Sequence, residues 1–195
     1  MKQTHLDLFS GIGGFALAAR WAGLQTIQFV EIDPYSQKVL KKNFPEIPIH
    51  DDIQTYNATQ LCGPFLLTGG YPCQPFSTAG QRRGKEDDRH LWPEMLRIIG
   101  ECRPTWVCAE NVAGHINMGL DEVLADLESE DYATRTFIIP ACAKDAPHRR
   151  DRVWIVAYSE SDRVFPTTQK HFRNRPGENE KERQAQSCNS SPSST

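Results

Sequence analysis

Asp7-Leu8-Phe9-Ser10-Gly11-Ile12-Gly13-Gly14-Phe15 decides how the chain folds. His5 to Phe9 reads as a short strand, and Ser10 to Gly14 as a turn almost without side-chain bulk. A helical pattern follows from Phe15 to Trp21, with Gly23 as its stop. Glycines let a ligand approach the backbone, and a helix N-terminus offers free N–H groups. Thr26 to Glu31 is a second strand, and Asp33-Pro34 then supplies an N-cap and a proline in the first helical position. Together these segments make a βαβα start. Glu31 ends the second strand about twenty residues after the glycine turn, where an acidic side chain can accept both hydroxyls of a ribose. Asp33 competes for that role, and helix capping is its plainer explanation.

Downstream, Ile47 to Ile49, Phe65 to Thr68 and Thr105 to Glu110 read as further strands bounded by Pro or Gly. Leu91, Met95, Leu96, Ile98, Ile99 and Cys102 recur at helical spacing, as do Leu120, Val123, Leu124 and Leu127. Two last strands, Ala133 to Pro140 and Val153 to Tyr158, complete a seven-stranded α/β sheet with helices on both faces. The net charge is -3, so no general basic face is expected. Gln81 to Lys85 and His148 to Arg152 are local basic clusters. The six cysteines form no C-x-x-C pair, and their spacing matches neither a zinc ligand set nor a disulfide framework. No metal is expected.

Four places outside the fold's scaffolding carry chemistry. Cys73 stands between Pro72 and Pro75 on a loop after a predicted strand, where open α/β sheets place their reactive groups. A thiol held there reads as a nucleophile, whereas the other cysteines read as small buried hydrophobes. Asp51-Asp52-Ile53 follows the third strand, with a carboxylate that either meets an adenine amino group or caps a turn. Ala109-Glu110-Asn111-Val112 brings a carboxylate to the end of the strand next to the cysteine loop. His148-Arg149-Arg150-Asp151-Arg152 precedes the last strand, and alternation on an extended segment would point His148, Arg150 and Arg152 the same way.

In this order, the glycine turn Phe9 to Gly14, the loop Pro72 to Ser77, Glu110-Asn111-Val112 and Arg150-x-Arg152 closely resemble four signature motifs of the cytosine-5 DNA methyltransferases. The resemblance covers residues 4 to 158. It implies a Rossmann-like methyltransferase fold with a mostly parallel sheet and S-adenosyl-L-methionine as cofactor. By analogy Phe9, Ser10, Gly11, Gly13 and Gly14 hold the methionine part, Glu31 the ribose, Ile32 the adenine face, and Asp52 with Ile53 the adenine edge. Pro72 and Leu91 complete the pocket. The resemblance further implies that Cys73 attacks carbon 6 of a flipped cytosine, while Glu110, Arg150 and Arg152 stabilise charge on the ring.

Residues 1 to 158 are expected to form the catalytic and cofactor-binding domain. Residues 159 to 195, polar and poor in large apolar side chains, are expected to be a disordered tail. The family normally continues with a target-recognition region and a C-terminal motif that closes the cofactor pocket. Neither is found in this sequence, and His148 replaces the family's usual Gln. Several readings stand open: one subunit of a split enzyme that needs a second polypeptide, an inactive S-adenosylmethionine-binding fragment, or a minimal variant. Within the same family, RNA is the alternative substrate to double-stranded DNA. With no apolar segment after Met1 and no membrane-length run, the expected compartment is the cytoplasm of a bacterium or of a phage's host, in a restriction-modification or DNA-protection role.

Overall fold

The computed structural model describes residues 2–61, 63–72 and 91–162. Cys73, the basic cluster Gln81 to Lys85 and the residues beyond Asp162 lie outside the described residues.

The first strand, β1 (Thr4–Leu8), lies between β2 (Gln25–Val30) and β4 (Leu66–Gly69), parallel to both. A central strand is buried on both faces, and here the two faces differ. Leu6 and Leu8 enter the larger apolar cluster, whereas His5 and Asp7 point the other way, equally buried. Those two polar side chains need partners, and neighbouring strands provide them. The Thr68 hydroxyl donates to Asp7 Oδ1 at 2.8 Å, so its oxygen accepts from His5 Nε2, also at 2.8 Å. His5 Nδ1 is then the acceptor for the Thr26 hydroxyl, 2.9 Å away. Burial lowers the His5 pKa to about 4. It also raises Asp7 to about 8, against the Thr68 hydrogen bond and the polarity of the Ala16 N–H, with the Glu31 charge adding to the rise.

The helix α1 (Gly14–Trp21) stops at Ala22, where Gly23 takes φ +81° as the sequence predicts. In α2 (Pro34–Asn43) the Asp33 carboxylate accepts from the Ser36 N–H at 2.8 Å, so the capping explanation of Asp33 is realised. Phe29 and Val30, adjacent in β2, point to opposite layers. Phe29 packs with Ala16 and Leu40 under α1 and α2, while Val30 joins Leu6 and Leu67. That second layer holds α3 (Trp92–Cys102), burying Trp92, Met95, Ile98, Ile99 and Cys102, and α4 (Leu120–Ser129), burying Leu120, Val123 and Leu127. Each fully buried side chain of this size is worth roughly 1.5–3 kcal/mol.

The sheet order is β3-β2-β1-β4-β5-β7-β6. The third strand, β3 (Ile49–His50), begins two residues later than expected. Ile47 spends its N–H on the turn after α2, and Pro48 has none to give. The fifth, β5 (Trp106–Val112), begins one residue later than expected and ends two residues later, because β7 (Asp151–Ser159) pairs antiparallel along all of it. β6 (Tyr132–Pro140) pairs antiparallel with β7, so among the described strands only β7 opposes the common direction. Among the described residues, no helix is long and apolar enough to cross a membrane.

Candidate active site

Between β1 and β4 the chain order of the strands reverses: β2 and β3 lie to one side of β1, β4 and β5 to the other. Such a point opens a crevice beyond the strands' C-terminal ends, and most of the residues singled out by the sequence gather around it.

On the β1 side Phe9 holds φ +52°, a strained value for a residue with a side chain. Ser10 turns inward, its hydroxyl donating to the Asp7 carbonyl at 2.7 Å, so it closes the turn rather than facing a ligand. The glycines divide. A Cβ on Gly13, at φ +91°, would lie 2.8 Å from the Phe44 ring, so that glycine is required by packing. A Cβ on Gly11 or Gly14 would meet nothing within 4 Å. The turn therefore keeps an open surface at the N-terminus of α1, which no side chain caps.

Glu31, just past β2, is buried and joins this turn to the next helix. Its carboxylate accepts from the Gly11 N–H at 2.6 Å and from the Asp33 N–H at 2.8 Å. Each oxygen retains acceptor capacity for a diol. Ile32 beside it is 72% exposed, a flat apolar surface without a protein partner layer. Asp52 spends Oδ1 on the Gln54 N–H at 2.9 Å, as a turn cap does. Ile53 is only 5% exposed and packs in the core, so the structure presents Ile32 rather than Ile53 as an open apolar face. Pro72 is exposed, and Leu91, partly buried, packs on the core at the start of α3. An open backbone cradle, a carboxylate with spare lone pairs and an exposed apolar face suit the amino acid, ribose and purine parts of S-adenosylmethionine.

On the other side of the crevice the Glu110 carboxylate meets the Arg152 guanidinium at 2.7 Å, both partly buried. The β5–β7 register produces this: Glu110 is opposite Trp154 and Val112 opposite Arg152, so the arginine sits on the diagonal of the same face. Burial pushes the Glu110 carboxyl above its ordinary range, and Arg152 and Arg150 pull it back. Gly70 keeps the space beside it clear, since a Cβ there would stand 3.3 Å from Glu110 Oε2. The expected common face for His148, Arg150 and Arg152 does not form. The strand begins only at Asp151, Arg150 takes φ +40°, His148 is exposed, and Arg149 pairs with Asp151 at 2.9 Å. Arg152 alone of the three contacts Glu110, while Arg150 acts on it through charge.

Sequence reasoning passed over Asp7 and Thr68, although a charged residue inside a buried-strand pattern is itself a signal. It also passed over Asn111 as a structural tie. The Asn111 Nδ2 donates to the Tyr71 carbonyl at 3.1 Å, fastening the end of β4 to β5. Phe15 packs edge-on against Trp154, whose buried indole N–H has no acceptor among the described residues. No cluster of three or more metal-binding side chains occurs among the described residues.

A family profile described as C-5 cytosine-specific DNA methylase matches residues 3–193. Similar curated proteins include the type II methyltransferase M.HhaI of Haemophilus parahaemolyticus, 35% identical over 78% of this chain and 48% of its own length. M.AquIA of a Picosynechococcus strain is 33% identical over 80% of this chain and 72% of its own length. Among solved structures, a putative DNA modification methyltransferase from an E. coli prophage is 28% identical with a TM-score of 0.69, covering 82% of this chain and 47% of that one. The Dnmt2 methyltransferase of S. pombe is 25% identical, also with a TM-score of 0.69, over 81% and 51%. The chain spans about half the length of M.HhaI and of M.DsaV from Dactylococcopsis salina.

Proposed function

The chain belongs to the C-5 cytosine-specific DNA methylase family, and we propose that it is the cofactor-binding and catalytic part of a DNA cytosine-5 methyltransferase. The observation that carries this reading is the Glu110–Arg152 pair, at 2.7 Å, on the strand next to the one that leads to Cys73. Phe9, the open surface of Gly11 and Gly14, Glu31 and Ile32 would hold S-adenosylmethionine, with Asp52, Ile53, Pro72 and Leu91 at the edge of that pocket. Bound there, the cofactor supplies an electrophilic methyl group on a sulfonium.

Cys73 as thiolate adds to carbon 6 of a cytosine turned out of the duplex, and the electrons of the 5,6 double bond move onto the ring. Glu110, protonated, donates to ring nitrogen 3 and takes up that charge, while Arg152 faces the developing negative oxygen. Carbon 5 is then nucleophilic enough to accept the methyl group. Loss of the carbon 5 proton to a base expels the thiolate and restores the ring. An ordinary thiol is only a few per cent ionised at pH 7, so the cationic Arg150 and Arg152 also favour the reactive form of Cys73.

The macromolecular partner is duplex DNA, and target recognition falls to the part of the family length that this chain does not span. The bacterial type II relatives support a role in modification of host DNA, in the cytoplasm. Methyl transfer from labelled cofactor to duplex DNA, by the chain alone and with a complementing polypeptide, tests the reading. Cys73→Ala abolishes transfer, and Glu110→Gln slows it about 10²–10⁴-fold with cofactor affinity unchanged. Since the reaction needs protonated Glu110 and ionised Cys73 together, the rate stops rising with pH once pH passes the elevated Glu110 pKa. Undiminished transfer by the Cys73→Ala protein rules the mechanism out.

A further inference from the structure

The segment that carries Cys73 leaves the described structure after Pro72 and rejoins it at Leu91, and one buried cluster grips both flanks. Tyr71 is 4% exposed, and its ring lies 5.1 Å from that of Trp92, the first residue of α3. Its other side meets the ring of His115 edge-on at 5.5 Å, and its hydroxyl is 2.7 Å from His115 Nε2. His115 belongs to the 3₁₀ turn Ala113–Asn117, which follows directly on the strand bearing Glu110. Trp92 is fixed in turn by donation of its indole N–H to Asp126 Oδ2 at 2.8 Å. The slot for the imidazole depends on Gly119, where a Cβ would approach His115 Cε1 to 3.3 Å.

Phenylalanine would fill the Tyr71 space equally well, so burial alone does not account for a hydroxyl meeting a ring nitrogen there. Dispersion contacts tolerate small sliding, whereas a buried hydrogen bond fixes distance and direction and is expensive to leave unmade. The Tyr71 carbonyl is also held, by Asn111, which makes two ties from one residue to the strand of the proposed acid and its following turn. A displacement of about 1 Å between reacting groups is enough to slow catalysis by about 10²-fold.

We propose that Tyr71 and His115 are positioning residues that hold the two flanks of the cysteine-bearing segment against the Glu110 strand. This rests on the reading of Cys73 and Glu110 given above. Backbone hydrogen exchange of the full chain provides the primary test. Tyr71→Phe and His115→Ala raise exchange at the amides of Gly70, Tyr71, Leu91 and Trp92 by about five- to tenfold, with β2 and α2 unchanged. His115→Gln, whose amide group can reach the position of Nε2, keeps those rates within about twofold of the parent. Unchanged exchange at the flanks in Tyr71→Phe overturns the proposal, as does a rise spread evenly over the domain. In the methyl-transferring preparation Tyr71→Phe lowers kcat and leaves the KM for cofactor alone. Looser flanks with undiminished kcat, in an enzyme that Cys73→Ala still inactivates, also overturn it. Survival of transfer in Cys73→Ala instead removes the catalytic reading and leaves the exchange result to judge the clamp.

Discussion

Asp7→Asn makes the ionisation of one buried carboxyl visible as a swing in stability with pH. Asp7 is fully buried; its Oδ1 accepts from Thr68, and its Oδ2 has no hydrogen-bonded partner among the described residues. Its pKa rises from 3.8 in the unfolded reference to about 8 in the fold, chiefly by desolvation. Between those values the folded protein keeps a proton that the unfolded chain has released. The resulting stability is therefore greatest below pH 4 and is lost as pH rises towards 8. The limiting slope is about 1.4 kcal/mol per pH unit, and allowing for the taper near the folded pKa the loss between pH 6 and 8 is about 2 kcal/mol. Asparagine keeps the acceptor for Thr68 and cannot ionise, but it sets an amide N–H₂ where Oδ2 has no partner, which costs about 1 kcal/mol at every pH. By pH 6 the parent has already lost about 3 kcal/mol to ionisation of the unfolded chain, so the variant is the less stable only below about pH 4.5, and its advantage grows from about 2 kcal/mol at pH 6 to about 4 kcal/mol at pH 8. His5, with its pKa lowered to about 4, adds an opposite trend below pH 6.5, but it does so in both proteins and cancels in the difference. Urea unfolding of both proteins at pH 6, 7 and 8 measures the divergence. Curves that stay parallel within about 0.5 kcal/mol refute the buried neutral carboxyl.

The two kinds of glycine in the turn separate packing from binding. Gly13→Ala, strained at φ +91° and 2.8 Å from Phe44, lowers stability by about 2–4 kcal/mol in denaturant unfolding. Gly14→Ala, helical and with open space around it, leaves stability equal or up to about 1 kcal/mol higher, yet weakens S-adenosylmethionine binding about tenfold or more by calorimetry. Glu31→Gln places an N–H₂ against one of the two backbone donors that its carboxylate now accepts. Cofactor affinity is expected to fall by at least about tenfold, with a loss of about 1–3 kcal/mol in stability; unchanged affinity removes Glu31 from the site.

The frame was legible because its signals are local. The turn at Ser10 to Gly14, the Asp33-Pro34 start of α2 and the apolar spacing of α3 and α4 each specify an element without help from elsewhere. The displaced β3 was legible in principle, since Pro48 cannot donate to a ladder. What escaped depends on pairing between distant segments. The sequence places Glu110 at a strand end, but only the antiparallel register with β7 extends that strand through Val112 and brings Arg152 to the carboxylate. Alternation failed for His148 and Arg150 because Arg150 takes a left-handed conformation that no neighbouring residue announces. Tyr71 and His115 lie 44 positions apart, and neither stands out alone. Around the proposed cofactor site, the inward turn of Ser10 and the entry of Ile53 into the core were not legible, because both depend on neighbours distant in sequence.

The placement of β7 also has a consequence for the order of assembly. β6 is made first but touches the sheet only through β7, which inserts between it and β5. Until the ribosome has released residues past Ser159, β5 is a bare edge, β6 has no strand to join, and the carboxyl of Glu110 has no guanidinium beside it. The acid and the sheet are completed by one event, the docking of the last strand, so a nascent or clipped chain ending before Asp151 lacks both together. Any shorter version of this protein that retained the glycine turn and the cysteine would keep the recognisable motifs while losing the pairing that gives them a common site.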